Sequence, residues 1–143
     1  MINVINKALY SNNSTKPECG NLSTTPVKAL LSNITAINGV NAAIVLQSDG
    51  KVVDFIVKNG TVNININVIA EVIAKLYNTA LELSKTLRLG ELNMLSIEYT
   101  TGSVVITEIA DGKLIAVVAN KRALVGRIRM EIKRSQRMFK VIF

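Results

Sequence analysis

The chain has 143 residues, enough for one domain with its own core, and a net charge of +7. Apolar residues make up 49% of it, yet it has only three Phe, three Tyr and no Trp, so Ile, Val, Leu and Ala must build the interior. One cysteine, Cys19, and no histidine exclude an intrachain disulfide, a His/Cys metal cluster and a Cys-His nucleophile.

The charge is unevenly placed. Residues 1–120 carry nine Lys/Arg and nine Asp/Glu, which cancel, while residues 121–143 carry eight Lys/Arg and one Glu, the whole of the +7. Any electrostatic attraction therefore concerns the last segment. The start of the chain has no apolar signal core, and no stretch approaches about 18 uninterrupted apolar residues. With the lone thiol, this points to a cytoplasmic protein.

Residues 1–23 are polar, include the loop-like Asn12–Pro17 run, and read as an N-terminal extension to a domain over 24–143. Thr25-Pro26 reads as a helix cap followed by proline at the first helical position. Val27, Leu30, Leu31, Ile34 and Ile37 then recur at helical spacing up to Gly39. Ala42–Leu46 and Val52–Val57 flank Asp49-Gly50 and predict a hairpin with a type I′ turn. Val62–Ile66 alternates like a strand but is expected to be a loop leading into the next helix.

That helix is predicted over Asn67–Leu89. Ile69, Val72, Ile73, Leu76, Ala80, Leu83 and Leu87 make one apolar stripe, expected to cover a sheet. Ala70, Ala74, Tyr77 and Leu81 make a second, whose small residues would admit a second copy of the helix. The alternative is a helix wedged deep in a single core. Strands follow over Leu92–Thr100, Ser103–Ile109 and Lys113–Ala119, with turns at Thr101-Gly102 and Asp111-Gly112. A final helix is predicted over Lys121–Phe139 with Leu124, Val125, Ile128, Ile132 and Phe139 on its buried face.

Chemistry is scarce. Cys19 has no base beside it, no phosphate-cradling glycine loop occurs, and turn chemistry already accounts for Asp49 and Asp111. No catalytic, cofactor-binding or metal-binding residue is assigned, and the protein is expected not to be an enzyme. On the last helix Arg122, Arg127, Arg129, Lys133, Arg134, Arg137 and Lys140 form a basic surface. A solvated face, an anionic membrane or acidic protein partner, and nucleic acid are the three readings. Nucleic acid is disfavoured because no aromatic residues interleave the cations to stack on bases.

The order helix, hairpin, long helix, three-stranded meander, helix is distinctive. Leu30-Leu31 to Ile37-Asn38-Gly39-Val40, then Ala43–Leu46 with Ser48-Asp49-Gly50, resembles the opening of Roadblock/dynein light chain domains. Leu89–Leu92, Val104–Ile109, Asp111–Val117 and Ala119-Asn120-Lys121 to Leu124–Arg129 are similar to later pieces of that family, in the same order. The resemblance spans about residues 26–139. It implies an α/β fold in which a five-stranded antiparallel sheet carries the long helix on one face and the other helices opposite.

The resemblance also implies a non-enzymatic homodimer that regulates or scaffolds a small Ras-like GTPase, as in prokaryotic gliding-motility members. Its dimer would join through the middle strand and long helix, here Leu95, Ile97 and Tyr99 with Ala70, Ala74, Tyr77 and Leu81. The polar arc of the long helix, Glu71, Lys75, Asn78, Glu82 and Lys85, would then contact the GTPase. The alternative function is a binding module whose basic last helix docks on an anionic surface.

Overall fold

A computed structural model describes residues 25–58 and 65–143. The N-terminal extension with Cys19, and most of the Val62–Ile66 alternation, lie outside the described residues. The elements run α1 (Pro26–Thr35), β1 (Val40–Gln47), β2 (Val52–Val57), α2 (Ile66–Leu87), β3 (Leu95–Tyr99), β4 (Gly102–Ala110), β5 (Lys113–Asn120) and α3 (Val125–Ile142). All strand pairs are antiparallel, in the order β2-β1-β5-β4-β3. The expected α/β architecture is therefore present.

The two central strands explain the long apolar runs. β1 and β5 are covered on both faces, so Ala42–Leu46 and Leu114–Val117 are buried without a break rather than at alternate positions. On one face α2 packs over Ile44, Leu46, Ile106, Leu114 and Ala116. On the other, Leu31 and Ile34 of α1 and Ile128, Ile132 and Phe139 of α3 meet Val45, Val105, Ile109, Ile115 and Val117. Each fully buried side chain of this size stabilises the fold by about 1.5–3 kcal/mol.

Local chemistry sets the boundaries. α1 starts as expected, with Thr25 Oγ1 accepting from the Lys28 N–H at 3.1 Å and Pro26 next in line. The hairpin turns depart from expectation. In Asp49-Gly50 and Asp111-Gly112 only the glycines have positive φ, 97° and 69°, so neither turn is type I′. At the first, the Gly50 N–H closes a turn on the Gln47 carbonyl at 2.8 Å, and Asp49 Oδ1 accepts from the Lys51 N–H at 3.0 Å. The slack is taken up by a register shift between Val45 and Leu46.

α3 also starts four residues later than the sequence suggests. Asn120 Oδ1 accepts from the Arg122 N–H at 2.8 Å, and the Ala123 N–H donates to the Asn120 carbonyl at 3.2 Å. Residues 121–124 are thereby held in a turn, and Leu124 becomes an exposed N-cap instead of a core residue. The turn lies against Gly39, whose φ is 92° and where a Cβ would collide with the Ala123 backbone and sit 2.8 Å from Asn120 Oδ1. Gly39→Ala combines a left-handed backbone penalty with overpacking and is expected to cost about 2–4 kcal/mol. A urea titration checks this through a lowered midpoint at an unchanged slope.

Candidate functional site

α2 begins behind Asn65, whose side chain accepts from the Val68 N–H at 3.3 Å. It ends where Arg88 takes φ 55°, and Ser84 Oγ donates to the Gly90 carbonyl, tying the exit back onto the helix. Asn78 Nδ2 donates to the Ser48 carbonyl at 3.2 Å, bracing the helix on the β1–β2 turn.

The structure reverses the two apolar stripes of this helix. Ala70, Ala74 and Tyr77, expected to be free for a second copy, are buried on the chain's own sheet, and Leu81 is half-buried beside them. Of the stripe expected on the sheet, Ile73 is buried and Ile69 and Ala80 half-buried, but Val72, Leu76, Leu83 and Leu87 are exposed, Leu83 by 57%. Size is the physical reason. The sheet beneath presents Ile44, Leu46, Ile106 and Leu114, and the first hairpin comes so near that a Cβ on Gly50 would lie 3.3 Å from Glu71 Cα. Near that hairpin the helix fits so close with Ala70 and Ala74 inward, while Ile73 and Tyr77 fill the rest of the contact with the sheet. The room that Ala70 and Ala74 make is used by the sheet. Burial, and secondly the Glu108 carboxylate, raise the Tyr77 phenol above the ordinary tyrosine range.

The uncovered residues form a flank of their own. At 3.6 residues per turn, Val72, Leu76, Leu83 and Leu87 fall within an arc of about 60°. The reading of the sequence had placed these four residues on the sheet, and the structure leaves them exposed. The available signal was the size of Ala70 and Ala74, which lets the helix sit close to large sheet residues.

The sheet edges differ in a matching way. At the β2 edge Lys28 Nζ donates to the Phe55 carbonyl at 3.0 Å, pairs with Asp54 Oδ1 at 2.7 Å and lies 5.7 Å from the Phe55 ring centre. With the register shift beside it, that edge is blunted against pairing. β3 lies at the other edge and, among the described residues, is hydrogen-bonded on one side only. Its Leu95 and Ile97 are half-buried and its Tyr99 is 60% exposed, on the α2 side of the sheet. The polar arc Glu71, Lys75, Asn78, Glu82 and Lys85 is exposed throughout.

On the opposite face of the sheet, Arg122, Arg127, Arg129, Lys133, Arg134, Arg137 and Lys140 are all exposed, and Glu131 pairs with Arg134 at 3.6 Å. A cleft of about 320 Å³ opens at the side of α3 between Asn93, Met94, Thr107, Arg129, Ile132, Lys133 and Gln136. Thr107 Oγ1 donates to the Asn93 carbonyl at 2.6 Å and Gln136 Nε2 to the Glu108 carbonyl at 3.1 Å along its walls. Among the described residues, no group of three or more His, Cys, Asp or Glu could hold a metal ion, and no helix is long and apolar enough to cross a membrane.

The sequence profile of the Roadblock/LC7 domain matches residues 26–119, which takes in both hairpins and α2. The chain belongs to the Roadblock/LC7 family. Among solved structures, this Roadblock chain is similar to Myxococcus xanthus MglB, with a TM-score of 0.75, 19% identity, and coverage of 85% of this chain and 98% of that one. Gliding protein MglB from Thermus thermophilus gives a TM-score of 0.70 at 16% identity, covering 80% and 88%. A Roadblock/LC7 domain from Streptomyces avermitilis gives 0.65 at 16%, covering 78% and 95%. At these identities the likeness is one of fold. A search of curated protein sequences returns no match. The match ends before α3, so the basic helix lies beyond the residues that carry the family pattern.

Proposed function

We propose that this Roadblock chain is a non-enzymatic, homodimeric regulator or scaffold that binds a small Ras-like GTPase. The observation that carries the reading is the uncovered apolar flank of α2, Val72, Leu76, Leu83 and Leu87, on the same side of the sheet as the bare β3 edge. Continuing the sheet across β3 would satisfy the edge hydrogen bonds and bring two α2 flanks together. The interface is then Leu95, Ile97 and Tyr99 of β3 with this flank of α2.

Antiparallel pairing of two β3 strands in one sheet needs a two-fold axis perpendicular to that sheet. Both α2 helices therefore lie on one face of the dimer, and a GTPase seated across the pair would meet the polar arc of each, Glu71, Lys75, Asn78, Glu82 and Lys85, on either side of the joined apolar flanks. Mixed charge of this kind favours orientation and specificity over raw affinity. The GTPase is regulated by preferential binding to one arrangement of its switch segments, a differential-affinity effect that requires no acid, base or nucleophile.

Titration with a Ras-like GTPase, loaded first with GDP and then with a non-hydrolysable GTP analogue, tests this. Binding that prefers one nucleotide state, at two protomers per GTPase, is the expected result. Equal affinity in both states removes the regulatory role and leaves tethering, while no binding in either state removes the GTPase reading.

A further inference from the structure

We infer that the outer face of α3 docks on an anionic phospholipid bilayer. The charge is the first argument. Eight cations against one carboxylate lie in residues 121–143, and that carboxylate, Glu131, is held by Arg134. Alongside α3, α1 contributes Lys28 and no acid at all. The neighbouring Asp54 is occupied by Lys28, which among the described residues leaves Glu98 at the β3 edge as the remaining carboxylate that the strand alternation directs to this side.

The second argument is what lies between the cations. Met130 and Val141 are 66% and 76% exposed, and the helical wheel puts them side by side in the middle of the outward arc, next to Arg137. A purely solvated or polyanion-binding face has no use for apolar side chains there. At a bilayer the same pattern is productive, because the cations meet headgroup phosphates while Met130 and Val141 enter the interfacial region. Arg129 and Lys133 also line the cleft beside α3, where Asn93 and Thr107 supply polar walls for a headgroup. Nucleic acid fits less well, since this face offers phosphate contacts but no aromatic platform for bases.

The placement has a consequence if the dimer proposed above forms. The two-fold axis that gathers both α2 helices on one face gathers both α3 helices on the other. The membrane-facing charge doubles, and the face carrying both α2 helices points away from the bilayer. The docking itself belongs to a single chain, so failure of the dimer or GTPase reading would leave its test intact.

Flotation of the full chain with phosphatidylcholine vesicles, with and without phosphatidylserine, is the test. Binding is expected only with phosphatidylserine and should fall steeply with salt. The combined Arg129→Glu, Lys133→Glu and Arg137→Glu variant should bind at least about 100-fold more weakly, at roughly 1 kcal/mol per basic residue. All three side chains are exposed, so its circular dichroism should match the parent. Met130→Ser with Val141→Ser should weaken vesicle binding several-fold while leaving binding to a double-stranded oligonucleotide and to polyglutamate unchanged. No binding to phosphatidylserine vesicles at low salt overturns the proposal. So does tighter binding to either polyanion that ignores the Met130 and Val141 changes.

Discussion

Leu83→Glu is expected to make the protein monomeric in sedimentation while its circular dichroism remains that of the folded chain. Leu83 is among the most exposed of the α2 apolar residues, so a single chain loses little when it becomes polar. In a two-fold interface the substitution appears twice, and each copy places an unpaired carboxylate where a leucine was to be buried. At about 2 kcal/mol per copy, the low end for a central interface residue, the loss is about 4 kcal/mol, or nearly a thousandfold in dissociation constant. Leu76→Glu on the same flank should act alike, whereas Glu82→Lys on the polar arc should leave the dimer intact. A Leu83→Glu protein that sediments as a dimer at every concentration would remove α2 from the interface.

That prediction could not have been written from the sequence, and the reason is instructive. Periodicity identified α2, its length and both of its apolar stripes, because an amphipathic pattern depends only on the chain itself. Which stripe faces the sheet depends on the partner surface, here the bulk of Ile44, Leu46, Ile106 and Leu114. Two stripes of similar hydropathy are distinguished by volume, and volume matters only once the opposing side chains are known. The reading of a helix deep in one core describes Ala70, Ala74 and Tyr77 correctly, and a free stripe also exists, but it consists of other residues.

The hairpins teach the same lesson at shorter range. Asp-Gly located both turns, since glycine adopts the positive φ seen at Gly50 and Gly112 without a steric penalty. The turn type was set by the flanking strands, through the shift between Val45 and Leu46 in one case and between Glu108 and Ala110 in the other. The start of α3 was hidden because Leu124 continues the apolar pattern upstream of the helix. The Arg122 N–H bond to Asn120 that holds residues 121–124 out of it is local, but Gly39, which packs against that turn, comes from a distant part of the chain. The basic face was more legible, since six exposed cations of α3, Arg127 to Lys140, follow from spacing alone, while Arg122, expected on the helix, lies in the turn before it. Met130 and Val141 among them became meaningful only once the buried face was fixed by Ile128, Ile132 and Phe139.

Tyr77→Asp should unfold the chain rather than dissociate it. Tyr77 is 5% exposed between α2 and the sheet, beside Ile73 and Ala74 and under the field of Glu108. Removing a buried aromatic costs about 3–5 kcal/mol. A second carboxylate placed in that apolar site near Glu108 adds a desolvation and repulsion penalty of a few kcal/mol more. Against a total stability of about 5–15 kcal/mol, the sum leaves little or nothing. Tyr77→Phe separates packing from the hydroxyl and should remain folded at neutral pH. Its difference appears in alkali. The folded-state phenol titrates above its unfolded value of about 10, so the unfolded chain loses that proton first and stability falls as pH rises beyond about 10. The Phe variant lacks this contribution, and its urea midpoint should decline less than the parent's between about pH 9 and about pH 11. A Tyr77→Asp protein that stays folded and becomes monomeric would return Tyr77 to the interface and overturn the orientation of α2 on which the Leu83 prediction stands.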